Sequence, residues 1–91
     1  SLCYTNIKGL QNMSSLQLRT AAMDAGTFRI EIRKNNSTGD LLGSTTVSRK
    51  GHNQLENISI ELSAMQSQED ICILLKSQPN QKLLIDSFIF R

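Results

Sequence analysis

Apolar and polar residues alternate with a period of two through most of the chain, not with the 3.6 spacing of a helix. In "TFRIEIR" (27–33), Phe28, Ile30 and Ile32 alternate with Arg29, Glu31 and Arg33. Successive side chains of a strand point to opposite faces, so this segment turns one face to a core and one to water. Arg29, Glu31 and Arg33 are expected on the solvated face. "NISIEL" (57–62) repeats the pattern with Ile58, Ile60 and Leu62, and "SLQLRT" (15–20) with Leu16 and Leu18. "CYTNI" (3–7), "LLGSTTV" (41–47) and "ICILLK" (71–76) read as further strands. "LLIDSFIF" (83–90) makes the seventh.

The segments between these runs carry turn chemistry. "NNSTGD" (35–40) joins two strands through Asn, Ser and Gly. "RKGHN" (49–53) holds Gly51, and "SQPNQ" (77–81) holds Pro79. "AAMDAG" (21–26) is expected to be a loop. Short strands separated by turns at this spacing predict an all-β sandwich or barrel, and no helix of ordinary length is predicted.

The last strand poses a problem of phase. Leu83 and Ile85 share one face, whereas strict alternation sends Phe88 and Phe90 to the other. Both pairs reach one core only if an extra residue is inserted between them, which predicts a β-bulge at Asp86–Ser87. The bulge also turns Asp86 out of the apolar interior, where an unpaired carboxylate is costly.

Length and composition narrow the function. Ninety-one residues make a single domain, residues 1–91, with a small core. The net charge of +2 is spread thinly, and Arg33-Lys34 and Arg49-Lys50 are the only basic doublets. That is not the basic stripe of a nucleic-acid binder. No apolar run is long enough to span a membrane. His52 is the one histidine, no serine or cysteine sits in a nucleophile motif, and the glycines are dispersed. The acids do not pair by spacing as a hydrolase requires. The expectation is a binding or structural module, not an enzyme.

Cys3 and Cys72 lie too far apart for a zinc pattern. Four N-glycosylation sequons begin at Asn12, Asn35, Asn36 and Asn57. Together they favour a secreted, extracellular glycoprotein, where a Cys3–Cys72 disulfide is one reading and two buried thiols the other. The chain starts at Ser1, which suggests a piece processed from something longer.

Several stretches, in order, resemble carbohydrate-binding module family 6. "GTFRIEIRKNNSTGDLLGSTTV" (26–47) is similar to its "G-G-x-I-E-I-R … G-x-L-L-G-x-x-x-V", and "KGHNQLENISIEL" (50–62) to its "G-G-W-Q-x-W-x-x-V-x-V-x-L". "DICILLK" (70–76) and "LLIDSFIF" resemble "H-D-L-Y-L-x-F-K" and "F-N-I-D-W-F-x-F". "SLCYTNIKGLQNMSSLQLRTAA" (1–22) resembles "D-W-x-x-Y-x-N-V-D … S-x-x-x-R-x-A". The resemblance implies a β-jelly roll that binds polysaccharide such as β-glucan or xylan without catalysis. It also implies a structural calcium, with Asp86 at the metal position.

By the same resemblance the chain corresponds to the C-terminal three quarters of the family domain. Another chain or a further N-terminal segment would then complete the sandwich. Two tryptophan positions of the family are His52 and Leu55 here, and a sugar-contacting asparagine is Leu84. The expected sugar contacts are therefore His52, Asn80, Gln81 and Tyr4, with Tyr4 read first as core or rim. The alternative is a jelly roll that has lost sugar binding and serves protein–protein assembly or adhesion.

Overall fold

Among the described residues seven strands form, as the alternation predicts: β1 (Leu2–Lys8), β2 (Ser15–Ala22), β3 (Gly26–Lys34), β4 (Leu41–Arg49), β5 (Leu55–Glu61), β6 (Gln68–Lys76) and β7 (Leu83–Phe90). The computed structural model describes residues 2–50, 54–77 and 82–91. The expected turns at Gly51 and Pro79 lie outside the described residues.

The strands build two antiparallel sheets, ordered β1-β6-β3-β4 and β5-β2-β7. Their inner faces meet in one core. Leu16 and Leu18 of β2 lie against Phe28, Ile30 and Ile32 of β3, with Ile58, Ile60, Ile71 and Ile73 around them. Leu10 and Met65, from the connections at one end, join the same cluster. Each long side of the sandwich is bridged by a specific approach. At one side, a Cβ on Gly43 of β4 would strike the carbonyl oxygen of Glu61 on β5, so only glycine allows the edges so close. At the other, the ring of Tyr4 on β1 lies 5.0 Å from that of Phe88 on β7.

The bulge in β7 is present. Arg19 of β2 is opposite Ser87 and Thr20 is opposite Ile85, which leaves Asp86 as the inserted residue. Phe88 and Phe90 therefore pack against the core together with Ile85, and Asp86 is exposed. β2 in turn runs on through Ala21 and Ala22, which were expected in a loop. They pair with Leu84 and Leu83, and both are buried.

Cys3 and Cys72 form a disulfide, and they face each other directly in the β1–β6 ladder with Cα atoms 4.1 Å apart. Six of the seven β1 residues are exposed, so packing holds this strand weakly and the covalent link matters more.

Glu31 departs from expectation. It lies on the outward face of β3 yet is only 4% exposed. Arg29 and Arg33, two residues to either side, donate to its oxygens at 3.0 and 3.1 Å. Lys76, brought alongside by β6, adds an ammonium at 3.4 Å. These long side chains cover the carboxylate while neutralising it. The Arg29 hydrogen bond does most to hold the Glu31 pKa at about 2, below its ordinary 4.5. Burial opposes it, and Arg33 and Lys76 add to it. A carboxylate with a depressed folded-state pKa stabilises the fold above the unfolded pKa, and that contribution is lost as pH falls. Thermal melts should therefore show a drop in Tm between about pH 4.5 and 2, and Glu31→Gln should flatten that part of the curve. A profile identical in the two proteins would contradict this role.

Candidate functional site

The connections that hold the expected sugar contacts leave from one end of the sandwich. β4 ends there at Arg49, opposite Gly26, and β6 ends at Lys76, opposite Arg29. β5 and β7 begin there at Leu55 and Leu83, opposite Ala21 and Ala22. His52, Asn80 and Gln81 themselves lie outside the described residues. What the structure does place is the strand surface from which those connections leave. Leu55 and Leu84 flank Ala21 in register on the outer face of the β5-β2-β7 sheet. Both leucines are about half exposed, at 50% and 51%. Two positions where the sequence departs from the family pattern thus stand on either side of one β2 residue, and both are aliphatic.

Tyr4 is 37% exposed and its ring is engaged with Phe88 at 5.0 Å, the range in which aromatic pairs attract. It sits at the rim of the sandwich, on the far side from β4 and β5. Asp86 is exposed on its bulge. Among the described residues, no three or more His, Cys, Asp or Glu side chains gather as a metal site. Calcium takes six to eight oxygens, so Asp86 alone does not make a site for it. The calcium expectation needs ligands that the described residues do not bring together.

A second surface was not legible as a site in the sequence. On the outer face of the β5-β2-β7 sheet lies a depression of ≈ 250 Å³. It is lined by Gln17 and Arg19 of β2, Asn57 of β5, Ser87, Phe88 and Ile89 of β7, and Arg91 just beyond. The register explains the grouping: Arg19 stands between Asn57 and Ser87, and Gln17 stands beside Ile89. These side chains point away from the core because Leu16 and Leu18, one step out of phase, point into it. The β7 bulge contributes as well, since it brings Ser87 opposite Arg19 while Phe88 packs partly against the core. Arg91 is oriented by its Nε, which donates to Oε1 of Gln17 at 2.7 Å. The one available signal was the pair of outward polar positions on β2, and β2 proves to be the central strand of its sheet.

This surface offers amides, a hydroxyl and two guanidinium groups beside the half-exposed aliphatic Ile89. Amides and hydroxyls both donate and accept, as sugar hydroxyls do. No residue in it combines a nucleophile with a base, and no carboxylate pair lines it. The arrangement can hold a polar ligand and contains no machinery to cleave one.

The fold is that of the family 6 carbohydrate-binding modules. A module from Clostridium stercorarium, solved with cellobiose, is similar over 97% of this chain at a TM-score of 0.81 and 25% identity. A family 6 module from Clostridium cellulolyticum, solved with xylose, is similar over 98% at 0.85 and 24% identity. A β-1,3-glucan-binding module from Bacillus halodurans is similar over 98% at 0.84 and 27% identity. The chain spans 63%, 69% and 67% of those three chains, about two thirds of their length. No protein-family model and no curated protein matches the sequence.

Proposed function

We propose that this chain is a non-catalytic polysaccharide-binding module that holds a glucan or xylan-type chain on the outer face of its three-stranded sheet. The observation that carries the reading is the depression of Gln17, Arg19, Asn57 and Ser87, on a fold shared with modules solved with cellobiose and xylose. Sugar rings have polar rims and apolar faces, and this surface pairs amides with Ile89. Its one aromatic among the described residues, Phe88, is half-buried with its ring against Tyr4 and Phe90, so it offers little open face to a sugar; binding is weak and suited to multivalent presentation beside other domains. An extracellular setting fits the Cys3–Cys72 bond, because such bonds persist in oxidising compartments.

His52, Asn80 and Gln81 form the competing contact set at the loop end. Affinity electrophoresis through gels containing β-1,3-glucan, xylan or soluble cellulose separates the two. Losing one hydrogen bond of about 1 kcal/mol lowers affinity roughly fivefold. Asn57→Ala should show that loss, while His52→Ala should migrate like the parent. The reverse pattern would move the site to the loops.

A second reading is protein–protein assembly, favoured by a separate apolar depression of ≈ 230 Å³ that includes Leu2, Leu75, Leu84 and Ile85. It lies between β1 and β7, strands that each have one pairing partner among the described residues. Edges of that kind accept a further strand. Concentration-dependent dimer mass by light scattering, together with no retardation in any gel, would favour this reading over sugar binding.

A further inference from the structure

The ion pairs among the described residues gather on one face of this protein. On and around the four-stranded sheet five cations are matched, and Lys8 and Lys50 belong to no ion pair among the described residues. Arg29, Arg33 and Lys76 pair with Glu31, Lys34 pairs with Glu69 at 3.2 Å, and Arg49 pairs with Glu56 at 2.6 Å. Both basic doublets of the sequence are thereby tied down at three of their four positions. The other face is different. Arg19 and Arg91 belong to no ion pair among the described residues, and both line the depression on the three-stranded sheet. Arg91 is fixed through Nε on Gln17, which directs its position without neutralising it. Its backbone oxygen is taken up by the amides of Ser14 and Ser15, at 2.7 and 3.0 Å. Among the described residues, no aspartate or glutamate lines the depression.

Two unneutralised guanidinium groups in one concave, amide-lined surface select for a ligand that brings negative charge. A guanidinium is planar and presents paired N–H donors that match a carboxylate with two parallel bonds. Neighbouring Gln17, Asn57 and Ser87 match hydroxyls. A sugar ring with a carboxylate in place of its primary alcohol carries both kinds of group. We propose that the depression recognises a uronic-acid residue, so that the module favours acidic polysaccharides over their neutral counterparts, with Arg19 and Arg91 as the specificity-determining residues.

This inference rests on the sheet-face reading of the sugar site and sharpens it to a substrate class. Its test uses a chemically matched pair: a cello-oligosaccharide and the same oligosaccharide oxidised to the carboxylate at C6. Titration calorimetry at pH 7 should give an affinity about tenfold higher for the oxidised form in low salt. Exposed charge pairs are screened, so the preference should shrink towards unity in 0.5–1 M salt. Arg19→Gln and Arg91→Gln should each cut the ratio of the two affinities several-fold. The melting temperature of each variant, expected to match the parent because neither arginine is in the core, confirms folding. Equal affinity for both oligosaccharides would overturn the acidic preference and leave the sugar-binding reading standing. A preference that survives both arginine changes would place the charge readout elsewhere and also overturn it. Binding of neither oligosaccharide would overturn the two readings together.

Discussion

Breaking the Cys3–Cys72 disulfide should remove about 4 kcal/mol of stability. The two residues are 69 apart in sequence, and a cross-link that closes a loop of that length restricts the unfolded chain strongly. A domain of this size holds on the order of 5–14 kcal/mol in total, so the loss is a large fraction. In a chain of under 100 residues each kcal/mol moves Tm by about 4–8 °C, and the expected fall is on the order of 15–30 °C. The position of the link adds to its effect. β1 is an edge strand with little buried surface, held by its ladder with β6, the disulfide and the Tyr4–Phe88 contact. Without the bond, β1 should open first. Cys3→Ala/Cys72→Ala, or reduction of the native protein, followed by thermal melting and amide exchange, checks both points. A shift of a few degrees, or β1 amides as protected as those of β3, would contradict them.

The second large effect is expected at Phe28. It is the bulkiest of the fully buried side chains and lies at 0% exposure in the middle of the four-stranded sheet. The other two phenylalanines, Phe88 and Phe90, are only partly buried. A core with so few rings depends on the one it encloses completely. Phe28→Ala removes the transfer energy of the ring and leaves a cavity between Ile30, Leu16 and their neighbours, at about 3–5 kcal/mol. Denaturant melts should show the midpoint fall accordingly. Phe28→Leu, which keeps most of the volume, should cost markedly less. If the two substitutions cost the same, packing around Phe28 is not what holds the sheets together.

Much of this architecture could be read from the chain because it is local. Alternation is a property of consecutive residues, so β3 and β5 were visible without knowing their partners. The same logic exposed the β7 bulge, since Leu83, Ile85, Phe88 and Phe90 share one face only with an insertion at Asp86. What remained hidden depends on which strands become neighbours. Glu31 looks like any outward charge until β6 delivers Lys76 beside it. Arg19 and Asn57 are 38 positions apart and meet only because β5 pairs with β2. The depression therefore has no linear motif. The loop residues His52, Asn80 and Gln81 came from the family resemblance, whereas the described structure draws attention to the strand face instead.

The central claim is that this fold binds a polysaccharide on the face formed by β5, β2 and β7. Titration calorimetry of the purified, disulfide-bonded protein with glucan and xylan oligosaccharides, neutral and acidic, tests it most directly. The account predicts saturable heat with at least one of them, weakened by Asn57→Ala and by Arg19→Gln. A folded protein that takes up no oligosaccharide of either kind, at concentrations into the millimolar range, would contradict it.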